Sequence, residues 1–187
     1  MTQRRHLAAA VIAATMLSSA AQAGDTSFPT GDAADAAKPP IAEAASDLAY
    51  KLCPRFLAGQ VKLAAPELGE RGFGPQVETA DHPRFGPISI VTAHYPDGRL
   101  AFGGASGTVC MVVADGPQRD AILAGLRANM ALTGLAFEPT DSPGMPVRNS
   151  KIATFKAPVD GKFLYLQLLE IDNANPTVSA LLYNGQP

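Results

Sequence analysis

Ser106 stands among small residues, Gly103-Gly104-Ala105-Ser106-Gly107, where a substrate could approach the backbone closely. A secreted hydrolase would use it as nucleophile, with His94 as base and Asp97, three residues on, to orient the imidazole. The nucleophile elbow is G-x-S-x-G, however, and here glycine follows Ser106 directly. A phosphate-binding loop needs G-x-x-x-x-G-K-[ST], and Thr108, not lysine, follows Gly107. Without a functional role the five residues read as a bulge or wide turn between an edge and a central strand.

The other candidates are weaker. His82 lies between Asp81 and Pro83, and Asp-His could hold a metal together with His94 and nearby acids, yet neither H-E-x-x-H nor a comparable spacing occurs. Glu67, Glu70 and Glu78 could pair for glycoside chemistry, but nothing separates them from an exposed face. Arg84, Arg99, Arg119 and Arg127 are scattered singly among acids, so nucleic acid is not an expected partner. Tyr165 and Tyr183 lie in apolar strands that could line a groove, offer an edge for strand addition, or simply be core. No motif calls for a cofactor.

Cys53 and Cys110 are the two thiols of the chain. Zinc would need two more ligands, with His82 and His94 the imidazoles within reach of a folded domain, and a redox pair would sit as C-x-x-C. An even pair in an exported protein favours a disulfide.

Export is expected from the first 23 residues. Arg4 and Arg5 precede an apolar run, and Ala21-Gln22-Ala23 presents small residues to a signal peptidase. The run turns polar at Ser18 and Ser19, short of the roughly 20 apolar residues of a transmembrane anchor. The arginine pair also fits twin-arginine export, and no cysteine stands at the cleavage site to take a lipid. Loss of Arg4 and Arg5 leaves 13 basic against 17 acidic side chains, net −4. Such a body is poorly drawn to phosphate backbones or anionic membranes. Residues 24–40 carry Phe28 as their one large apolar group before the folded domain, so a flexible leader is expected there, ahead of a single domain over 41–187.

Elements that could position these residues follow from periodicity. Ile41, Ala45, Leu48 and Leu52 repeat at helical spacing, so residues 41–52 predict an amphipathic helix ended or kinked by Pro54. Residues 64–72 predict a short helix, and 73–87, dense in Gly, Pro and charge, an irregular loop. Residues 88–95 and 100–102 predict a hairpin about Pro96-Asp97-Gly98. Residues 108–114 predict a central strand with Val109, Met111 and Val113 on one face and Cys110 and Val112 on the other. A helix follows Gly116-Pro117, carrying Ile122, Leu126 and Met130 and closing at Gly134. After a proline-rich loop at 139–146, Asp160-Gly161 joins strands 151–159 and 162–171, and 177–183 is the last strand.

The expected architecture is α+β, an antiparallel β-sheet packed against two main helices in one domain, with no sequence repeat at any fixed period. The expected function is a periplasmic or secreted module, stapled by one disulfide. It would bind a small ligand or a cell-envelope protein in a groove between sheet and helix, with His94, Arg99 and Ser106 as candidate contacts.

Overall fold

The computed structural model of the protein describes residues 39–142, 150–172 and 176–185. The segments expected as signal and as most of the leader, the end of the 139–146 loop and the expected turn after Asp172 lie outside them.

Eight strands form one antiparallel sheet: β1 (Glu78–His82), β2 (Gly86–Tyr95), β3 (Gly98–Ala105), β4 (Val109–Asp115), β5 (Glu138–Thr140), β6 (Ser150–Val159), β7 (Lys162–Ile171) and β8 (Thr177–Gly185). Their spatial order is β1-β2-β3-β4-β8-β7-β6-β5. The Asp160-Gly161 hairpin forms as expected, with φ of 47° and 75° at the turn, and β4 is indeed central.

The α+β expectation holds, but its two helices are unequal. The first runs 17 residues: α1 (Ile41–Asp47), a π-helical turn (Leu48–Leu52) and α2 (Cys53–Leu57). Pro54 does not end it. A proline removes one N–H and collides with the carbonyl four residues back. Here the Cys53 N–H bonds Leu48 five residues back, so the extra residue of the π turn absorbs that conflict. Short α3 (Pro66–Glu70) and the ten-residue α4 (Arg119–Ala128) complete the α-helices of the described residues. A 3₁₀ turn (Met130–Thr133) follows α4 and closes at Gly134 in the left-handed region.

Strand alternation divides the sheet into two faces. Phe102, Cys110, Val112, Leu166, Ala180 and Leu182 form the main core with Leu48, Leu52, Phe56, Ile122 and Leu126 of the helices. The helices cross each other closely: a Cβ on Gly125 would stand 3.2 Å from Ser46 Oγ, and the buried Tyr50 hydroxyl donates to Leu126 O at 2.5 Å. Burial pushes the Tyr50 phenol well above its ordinary pKa, so it stays a donor. Cys53 on α2 is disulfide-bonded to Cys110 on β4, Cα to Cα 5.4 Å, both fully buried. This is the expected staple of helix to sheet.

The order helix then four strands occurs twice, ending on β4 and on β8. These equivalent strands pair antiparallel at the centre, Val112 opposite Ala180, as a two-fold axis normal to the sheet would generate. No sequence period announces it, because a two-fold relation constrains which positions are apolar and not which residues fill them.

Candidate functional site

His94 and Arg99 are brought together. They flank the Pro96-Asp97 turn and face each other across β2 and β3, where Tyr95 pairs Gly98 and His94 pairs Arg99. Directly opposed residues of an antiparallel pair hold their Cβ atoms about 5 Å apart. Their neighbours Ala93 and Leu100 point into the helix-side core, so His94 and Arg99 stand on the opposite, helix-free face, which has no helix among the described residues. Across the next strand pairing Arg99 meets Asp115, and its Nε and Nη2 donate to Asp115 Oδ2 at 3.0 and 2.6 Å. That ion pair holds the guanidinium extended toward β4.

The edge of the sheet makes a cleft here. Phe73 bridges Ala93, and the Gly74 N–H donates to Thr92 O at 2.9 Å. Regular pairing resumes only at Glu78 opposite Ile90. Four residues, 74–77, thus oppose two on β2, a wide bulge of the kind that re-aims side chains at sheet edges. Pro75 cannot donate to a ladder, and Gly72 turns the chain with φ of 84°. The result is a cleft of about 400 Å³ lined by Gln76, Glu78, Thr92, His94 and Arg99 together with Gly72, Gly74 and Pro75. An imidazole, a guanidinium, a carboxylate, an amide and a hydroxyl converge there. Such a set suits recognition of a small polar molecule carrying both donors and acceptors.

Ser106 lies elsewhere. The Gly103-Gly104 pair does not interrupt β3 as expected. The strand runs through it, and the turn is 106–108. A Cβ on Gly104 would overlap the Val109 carbonyl oxygen and one on Gly103 would overlap that of Ser89, so these glycines let neighbouring backbones close up. The Ser106 hydroxyl donates to Phe56 O at 3.2 Å, a carbonyl at the end of α2 that also accepts the Gly59 N–H. Seven residues of extended chain, roughly 20 Å, separate it from Arg99. The Ser106–His94 pair of the hydrolase reading is therefore not assembled.

The remaining candidates also separate. Glu67 pairs with Arg55 at 3.1 Å, and Glu78 joins the cleft while Glu70 does not. His82 sits at the end of β1, its Nδ1 accepting the Arg84 backbone N–H at 3.2 Å. Burial, and then the Arg84 charge, hold its pKa below the ordinary value. Among the described residues no group of three or more His, Cys, Asp or Glu could hold a metal. Tyr165 and Tyr183 lie in β7 and β8, which are interior to the sheet, so neither offers an edge for strand addition. The groove expected between sheet and helix is filled by the main core, and the cleft opens on the opposite face.

Gln76 and Thr92 escaped sequence reasoning, and Glu78, singled out only as a possible partner of Glu67 and Glu70, was not connected with His94. Thr92 was accessible through alternation, being two residues before His94 on one strand; Gln76 and Glu78 depend on the bulge, which no residue pattern marks. Comparison of the chain with family models, with curated proteins and with solved structures returns no match.

Proposed function

We propose that the chain is an exported, disulfide-braced binding module that takes a small polar ligand in the cleft beside His94 and Arg99. The observation that carries this reading is the convergence of His94, Arg99, Glu78 and Thr92 around one opening in the sheet edge. Arg99, held in place by Asp115, offers its remaining N–H groups to a carboxylate, His94 supplies a second polar contact, and Glu78 accepts from an ammonium. Binding is favoured over hydrolysis because the Ser106 hydroxyl is engaged on Phe56 at the far end of β3. The periplasm, or the medium, is the proposed location. Support comes from the N-terminal residue pattern and from the disulfide, a bond that forms in oxidising compartments and is rare in cytosolic proteins.

The test is thermal denaturation of the mature chain, begun at Gly24, against a panel of amino acids and small carboxylates. A true ligand at a hundred times its Kd adds about 2.7 kcal/mol, which raises Tm by about 8 °C for a domain of this size. Arg99→Gln should abolish that rise. No shift across the panel, together with no envelope protein captured by crosslinking at Gln76→Cys, would remove the reading.

A further inference from the structure

Five of the six described arginines hold a carboxylate at 3.7 Å or closer. Arg84 is the sixth. It stands in the turn between β1 and β2, and its guanidinium rests 4.5 Å from the centre of the Tyr183 ring and 5.2 Å from that of Phe85. One Nη1 hydrogen points at the Tyr183 hydroxyl, 3.4 Å away. A guanidinium carries five donors in a flat fork, and Arg84 is exposed, with no carboxylate of the described residues paired to it.

The rings beneath are fixed in place. Tyr183 is 2% exposed and stacks on Tyr165 at 5.3 Å and 9°. Tyr165 in turn lies over Gly185, where any Cβ would collide with it. Phe85 packs on the other side of Tyr183 at 5.4 Å. Half-buried Phe85 and Tyr165 therefore neighbour Tyr183 in a short apolar row, with a cation seated over its Phe85 and Tyr183 rings. His82, 4.9 Å from Phe85 ring to ring, accepts the Arg84 amide through Nδ1. In its neutral form the ring proton is consequently on Nε2, a second donor beside the same turn.

We propose that Arg84 anchors a carboxylate-binding site on the helix-free face, for a monocarboxylate whose apolar or aromatic body lies along Phe85 and Tyr165. The fork of a guanidinium matches a carboxylate in two parallel hydrogen bonds. A single cation on an apolar row, in a chain of net negative charge, selects one negative charge and an apolar remainder over a polyanion. The site stands at the Gly86 end of β2, eight residues or about 26 Å of strand from His94 and about 13 Å from Ile90, the partner of Glu78 in the other cleft. It does not depend on that cleft.

Benzoate is the probe, with benzamide as its uncharged counterpart and inorganic phosphate as an anion without a ring. Titrations of the mature protein are followed by side-chain NMR of His82 and Tyr183 and by calorimetry. Benzoate should shift both residues saturably. Benzamide and phosphate should bind at least tenfold more weakly. Arg84→Gln should weaken the benzoate-induced response of His82 and Tyr183 at least tenfold at unchanged far-ultraviolet circular dichroism, whereas Arg99→Gln, which alters only the other cleft, should leave that local response unaltered. Equal binding of benzamide or of phosphate to the wild type overturns the assignment with no variant needed. So does an undiminished local response in a folded Arg84→Gln chain, or loss of that response on Arg99→Gln alone.

Discussion

Replacing both cysteines, Cys53→Ala with Cys110→Ala, measures how far the disulfide holds the long helix on the sheet. The bridge spans 57 residues. Closing a loop of that length in the unfolded chain removes about 14 cal/mol/K, or roughly 4.2 kcal/mol at 25 °C. A domain of this size has a total stability of about 5–15 kcal/mol, so the loss is a large share of it. The Tm should fall by about 10–15 °C. Guanidinium unfolding followed by circular dichroism gives the free energy directly, provided the slope m is compared as well, because an unbridged unfolded chain exposes more surface. Both sulfurs are fully buried, so the native wild type should also resist alkylation under dithiothreitol until denaturant is added. A loss under about 1 kcal/mol, or free alkylation of native protein, would refute the reasoning: the helix would then be held by Leu48, Leu52 and Phe56 packing alone.

Gly104→Ala places a methyl where Val109 C is 2.9 Å away and φ is +140°; it should cost at least about 3 kcal/mol, against about 1–2 kcal/mol for Gly107→Ala in open space, both read by urea unfolding. Ser106→Ala removes one hydrogen bond to a helix-end carbonyl and should cost about 1 kcal/mol, with ligand binding in the His94 cleft unchanged. Burial opposes ionisation of Asp47, but hydrogen bonds from Lys51 and Arg71 outweigh it and hold its pKa below 3.8. Its contribution is therefore complete above the unfolded value and fades as pH falls through the folded one. The urea midpoint should drop below about pH 4, and Asp47→Asn should flatten that part of the profile.

What could be read in the residues was whatever burial forces into a period. β4, β7 and β8 are apolar because both their faces are covered, and the Asp160-Gly161 turn needs two positive φ angles that few residues tolerate. β1 fell inside the loop expected at 73–87 because four of its five residues are exposed. An edge strand with no buried face leaves no alternation to detect. β5, three residues long and beginning with Glu138-Pro139, is silent for the same reason. Pro54 misled in the other direction: its rule presumes a regular α-helix, and the π turn before it changes which carbonyl the ring meets.

The same reasoning explains why the candidate sites are on the side away from the helices. Cys110, Val112 and Leu182 point toward the helices with their odd-numbered neighbours Val109, Met111 and Leu181 turned away. The away side has no helix among the described residues, yet Val109 is fully buried and Leu181 and Tyr183 nearly so. Phe85 and Arg84, from the β1–β2 turn, reach Tyr183 on β8 over the top of β3 and β4, so that side has a small core of its own. Polar groups are thereby pushed to its two ends, His94 with Arg99 at one and His82 with Arg84 at the other. A charged residue on a strand must stand where neither core can desolvate it. In this sheet the two ends of β2 satisfy that condition, and each pairs an imidazole with a guanidinium.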